Sequence, residues 1–176
     1  MHLRRACFFA LLVLFSHVAM ATTLPGSGDP APSYLGRDAN DHDVRVEDMH
    51  GKVVVVTFWA SWCGYCLKEL PILANVQKLA GANQLQVVAI SYKEDYNNFR
   101  QIHHNLRKTD LLLTYDTKAA ASAAYGVTGI PHMVMIGRDG RIAYVHVGYD
   151  ESMLDTIASE LNTLLAAPVP ADTHAP

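Results

Sequence analysis

Cys63 and Cys66 stand three positions apart in Trp62-Cys63-Gly64-Tyr65-Cys66, where an apolar run, Val53 to Ala60, gives way to a helical pattern. A cysteine at the first turn of a helix faces unsatisfied backbone N–H groups and the positive end of the helix dipole. Both stabilise its thiolate, the nucleophilic form. A second cysteine one turn later lies on the same face, close enough to close a disulfide and shielded by its own helix. The spacing therefore divides the labour of thiol-disulfide exchange: Cys63 attacks a substrate disulfide, and Cys66 attacks the resulting mixed disulfide and releases the reduced substrate. Two other uses of the pair fare worse. Zinc would need a second ligand pair, and His103 and His104 are adjacent on a polar helix while His132 is isolated, so no metal is expected. A merely structural disulfide would close a loop too short to constrain the unfolded chain appreciably.

The third cysteine, Cys7, belongs to a different segment. The chain of 176 residues begins MHLRRACFFALLVLFSHVAMATTLPG, with Arg4 and Arg5 before an apolar run and small residues around Ala19-Met20-Ala21. That is the plan of a secretory signal peptide over 1–21, cut after Ala21. An uncleaved anchor is the alternative, although Ser16 and His17 interrupt a run shorter than the ~20 residues a spanning helix needs. With Cys7 removed, only the reactive pair is left, in an exported domain where disulfides persist. The full chain carries a formal charge of −3, and after Ala21 it holds 12 basic against 17 acidic residues, a net −5. No basic footprint for nucleic acid exists.

The elements that must position the cysteines are legible in the surrounding sequence. Residues 22–33 (TTLPGSGDPAPS) read as a linker and 166–176 as a flexible tail, leaving one domain over 34–165. Val53 to Ala60 predicts a strand buried on both faces, and CLKELPILANVQKLA a helix from Cys63 stopped by Gly81 and kinked at Pro71. Further strands are expected at Leu85 to Ser91, Leu111 to Tyr115, His132 to Ile136 and Ile142 to Val147, the last two a hairpin about Gly137-Arg138-Asp139-Gly140. Helices are expected over Asp95 to Lys108, Thr117 to Tyr125 and Glu151 to Leu165. This order implies an α/β fold, a central mixed β-sheet flanked by helices.

The run Phe58-Trp59-Ala60-Ser61-Trp62-Cys63-Gly64-Tyr65-Cys66, with Pro71 after it and Gly129-Ile130-Pro131 far downstream, resembles the thioredoxin superfamily. Gly51-Lys52-Val53-Val54-Val55-Val56, Glu69 and the insertion from Tyr92 to Leu111 are more specifically similar to the exported TlpA/ResA-like thiol-disulfide oxidoreductases. The resemblance implies a thioredoxin-like fold with a family-type insertion, Cys63 as attacking thiol, Cys66 as resolving thiol and Pro131 as a cis-proline beside them. Substrate would then meet Trp62, Gly64, Tyr65, Ile130 and Pro131, with the Ile130 backbone pairing with an extended client segment. Read without the upstream motif, Pro131 is an ordinary trans proline opening a strand.

The resemblance also makes Glu69 an acid that tunes the thiols and moves protons. Thioredoxin places its buried Asp on the strand, where this chain has Thr57. The competing reading is an exposed acid beside Lys68. The implied activity is periplasmic reduction of disulfides in exported clients, as in cytochrome c or copper-site maturation, by a monomer without cofactor. Electrons would come from a membrane thiol donor such as a DsbD/CcdA-type protein. Gly64-Tyr65 between the cysteines departs from the many reducing members that carry Pro before the second cysteine, and keeps an isomerase or oxidase open; a copper-binding chaperone is the non-enzymatic alternative. His42, His50 and His146 carry no signal.

Overall fold

A computed structural model of the chain describes residues 24–171. The expected signal peptide, with Cys7, lies outside these residues. Seven strands form one sheet in the order β2-β1-β5-β4-β3-β6-β7: β1 Tyr34–Arg37, β2 Asp43–Arg45, β3 Val53–Trp59, β4 Leu85–Ser91, β5 Leu112–Tyr115, β6 His132–Ile136 and β7 Ile142–Val147. β3, β4 and β5 run parallel, while β1 meets β5 and β6 meets β3 antiparallel. The helices are α1 Gly64–Ala80, α2 Tyr96–Leu106, α3 Ala120–Ala124 and α4 Leu154–Ala166.

The central strand β3 explains the layering. All seven of its residues are buried, as a strand covered on both faces requires. Val53, Val55 and Trp59 pack with Leu70, Leu73, Phe99 and Leu161 under α1, α2 and α4. Val54, Val56 and Phe58 point the other way, into a second core with Leu35, Ala121 and Tyr125. Parallel pairing with β4 is in continuous register from Val53↔Leu85 to Trp59↔Ser91, so both strands end at the same edge. The cysteines lie just beyond that edge.

Several local outcomes differ from the sequence expectation. Cys63 caps α1 from an extended conformation (φ −96°, ψ 98°), so the helix proper begins at Gly64. As expected, Pro71 lies within α1 and Gly81 stops the helix, taking φ 89°. Strands β1 and β2 were not expected; each is short, and neither carries a strong apolar run. Part of the span read as a linker is built into the domain: Gly28 N–H donates to the Ile142 carbonyl (2.8 Å), Ile142 N–H to Asp29 (2.9 Å) and Ala31 N–H to Gly140 (3.0 Å). Prolines and glycines disguise this segment, because its pairing is irregular. The insertion holds α2, whose N-cap Asp95 accepts from Asn97 N–H at 2.8 Å.

Candidate active site

The loop leaving β3 is held at three points. Cys63 N–H donates to the Ala60 carbonyl (3.1 Å), Ser61 N–H donates to the Glu94 carboxylate, and Cys66 N–H donates to Cys63 Sγ (3.2 Å). The last bond is the capping interaction of α1, with sulfur in the place usually taken by oxygen. Cys63 and Cys66 form a disulfide with S–S 2.13 Å and Cα–Cα 5.3 Å. Cys66 is fully enclosed, whereas Cys63 keeps an exposed margin of 9%. A helix terminus behind the outer sulfur stabilises negative charge on it, so the outer sulfur is the one suited to nucleophilic attack and the inner one to resolution.

The peptide bond Ile130-Pro131 is cis. Register places it beside the site: His132 pairs with Phe58 across β6 and β3, which sets Pro131 next to the end of β3 from which the cysteine loop leaves. The Pro131 carbonyl accepts from Gly148 N–H at 2.8 Å, and this bond brings in Tyr149. The Tyr149 ring stacks on Tyr65 (centroids 5.9 Å, planes 26° apart), while Lys68 Nζ lies 5.6 Å from the Tyr65 centroid. Trp62 and Tyr65 are 62% and 59% exposed, and a Cβ added at Gly64 would meet nothing within 4 Å. The disulfide thus sits in a rim of exposed aromatic rings, an arrangement suited to contact with a protein client.

Glu69 is buried, with 5% of its surface exposed, and is not the surface acid of the competing reading. Its Oε2 accepts a 2.7 Å hydrogen bond from Thr57 Oγ1. Burial pushes its pKa up from the ordinary carboxylate range, opposed by the Thr57 hydrogen bond and by the charge of His146. It lies three residues after Cys66 on α1, on the helix face that covers β3.

Three residues at or near the site carried no usable sequence signal. Glu94 is one acid in a polar insertion, yet it is buried and holds Ser61, Asp95 N–H (3.0 Å) and Asn98 Nδ2 (3.2 Å). Tyr149 follows a hairpin at no diagnostic spacing. His146 pairs with Glu160 Oε2 at 2.6 Å, a contact between β7 and α4 that no local pattern announces. His132 is enclosed edge-on to Phe58 (5.9 Å), with both ring nitrogens unpartnered, and burial pushes its pKa down. Among the described residues no three His, Cys, Asp or Glu side chains gather as a metal site, and no helix is long and apolar enough to cross a membrane.

A Cys-x-x-Cys disulfide capping the helix after a central parallel strand, with a cis-proline beside that strand's end, defines a thioredoxin-like protein of the thiol-disulfide oxidoreductase class. Comparison with known proteins narrows this. The Redoxin family profile matches residues 26–165. The chain is 30% identical over 131 residues to the thiol-disulfide oxidoreductase ResA of Bacillus subtilis (strain 168), covering 72% of this chain and 71% of ResA. It is 36% identical over 98 residues to the thiol:disulfide interchange protein CycY of Rhizobium leguminosarum bv. viciae, covering 56% of this chain and 51% of CycY. A crystal structure of a thioredoxin-family thiol:disulfide interchange protein from Chlorobium tepidum TLS superposes with a TM-score of 0.66 at 25% identity, covering 78% of this chain and 96% of that one. The chain belongs to the Redoxin family, as a TlpA/ResA-like thiol-disulfide oxidoreductase of the thioredoxin superfamily.

Proposed function

We propose that this protein is an exported, periplasmic reductase of client-protein disulfides, cut after Ala21. The observation that carries the reading is the asymmetry of the pair: Cys63 at the helix cap with an exposed margin, Cys66 enclosed behind it. In the reduced enzyme the Cys63 thiolate attacks one sulfur of the client disulfide. A mixed disulfide forms and the other client sulfur leaves as thiolate. Glu69 takes the Cys66 proton; Cys66 then attacks Cys63 Sγ, the second client thiolate leaves, and the enzyme disulfide closes. The client gains two electrons, its two thiolates take one proton back from Glu69 and one from solvent, and a membrane thiol donor of the DsbD/CcdA type restores the dithiol.

Trp62, Tyr65 and the open edge at Gly64 receive the client, with the Ile130-Pro131 backbone beside an extended segment. Cytochrome c or copper-site assembly is the setting that the resemblance favours. Equilibration against a glutathione series tests the direction: a potential near that of thioredoxin, about −270 mV, supports the reductase, and one near about −120 mV refutes it. Cys66→Ser should accumulate client mixed disulfides through Cys63, while Cys63→Ser should accumulate none. Gly64-Tyr65 between the cysteines favours one second reading, an isomerase or oxidase, which the same titration separates.

A further inference from the structure

Residues opposite one another on neighbouring strands share a face of the sheet. Thr57 pairs with Met133, and Met133 pairs with His146, so one row crosses β3, β6 and β7 on the side covered by α1 and α4. Each end of the row is met by a carboxylate from the helix above it. Glu69 of α1 holds Thr57 at 2.7 Å, and Glu160 of α4 meets His146 Nε2 at 2.6 Å. Strand spacing puts the two ends about 10 Å apart. Met133 lies between them, buried, and an apolar cavity of about 530 Å³ lined by Glu69, Met133, Ile157 and Leu161 extends over it. A charge at His146 therefore acts on Glu69 across this distance with less screening than bulk water would give.

The groups that face Glu69 are few. From β3 comes the Thr57 hydroxyl, and from β7 His146 with Glu160 of α4 behind it; Cys66 stands three residues earlier on the same helix, and Tyr149 and Asp155 stand on the wall of the cavity. No Lys or Arg forms an ion pair with Glu69 among the described residues. His146 and Glu160 side chains are 13% and 19% exposed, so the pair is largely enclosed between β7 and α4.

We propose that His146, oriented by Glu160, is a positioning residue that sets the protonation of Glu69 from across the sheet. This rests on the reading of Glu69 as the acid that serves the dithiol. Through it, the pH at which Cys66 can be relieved of its proton depends on a side chain on the far strand that touches neither cysteine. The pair also ties β7 to α4, and a purely mechanical tie would leave Glu69 indifferent to the charge at position 146.

The test is a carbon-13 NMR titration of the Glu69 carboxyl in the oxidised mature protein, in which the cysteines do not titrate. His146→Gln keeps a hydrogen-bonding partner for Glu160 but removes the cation, and should move the Glu69 midpoint up by about half a pH unit or more. His146→Arg fixes the cation and should move it down, which gives a second reading with opposite sign if the Gln variant fails to fold. In the reduced protein the pH profile of Cys66 resolution should follow the His146→Gln shift, and lose it in a Glu69→Gln background. Equal Glu69 midpoints in the parent and both variants overturn the proposal. A shifted midpoint without any change in the resolution profile would keep the coupling and refute the role of Glu69 in exchange.

Discussion

Thr57 Oγ1 donates to Glu69 Oε2 at 2.7 Å, so a strand hydroxyl and a helix carboxyl together occupy the place beneath the dithiol. The acid enters from the helix side, and the strand supplies only the donor that orients it. A carboxylate so buried resists ionisation, and the hydroxyl offsets part of that resistance.

The Glu69 pKa is raised in the fold. Its contribution to stability is therefore complete below the unfolded carboxylate value of about 4.3 and is lost as pH rises through the raised folded value. Glu69→Gln keeps an acceptor for Thr57 and removes the ionisation. The variant should melt about 3 °C higher than the parent at pH 8 and at the same temperature at pH 4. Calorimetry at the two pH values checks this, and equal differences at both would contradict it.

His132 behaves in the opposite sense. Burial depresses its pKa, so its contribution is complete above the unfolded value of about 6.5 and is lost as pH falls through the depressed folded value. His132→Leu should flatten that acid loss. Urea midpoints at pH 7.5 and pH 5 should differ less in the variant than in the parent; an unchanged difference would assign the acid loss to other groups.

Glu94 accepts from Ser61 N–H directly before Trp62 and Cys63. Glu94→Ala leaves that N–H without its acceptor and should cost about 1–3 kcal/mol of stability. Cys63 alkylation in the reduced form should accelerate as the loop loosens. Urea unfolding and iodoacetamide kinetics measure the two effects, and wild-type values in both would remove Glu94 as the anchor of the loop.

Tyr149 lies against Tyr65. Tyr149→Ala should lower kcat/KM for a protein disulfide by roughly 5-fold, in the range of one aromatic contact, and leave reduction of a small disulfide unchanged. Parallel assays with insulin and with glutathione disulfide separate the cases. Equal losses on both substrates would place Tyr149 in support of the dithiol itself.

How much of this was legible in the sequence depends on how local each signal is. The β3 run, the helix after it and the Gly137–Gly140 hairpin are short-range patterns, and they fold as their residues dictate. Cys63, Cys66 and Pro131 were found through a motif. Glu69 could be singled out, but its burial depended on α1 lying across Thr57, which no spacing within the helix reveals. Tyr149, Glu94 and the pairing of His146 with Glu160 arise from contacts between elements distant in sequence. Strands β1 and β2 were missed because both are short and lack an apolar run: β2 is an edge strand, and β1 beside it meets β5 through a single register pair, Arg37 with Tyr115.

The empty space over Gly64 and the exposure of Tyr65 separate two properties that proteins often trade against each other. Neither residue between the cysteines belongs to the hydrophobic core. The dipeptide can therefore be exchanged with little repacking beneath it. In this molecule the tip of the site is a surface variable, and the fold below it is a fixed platform.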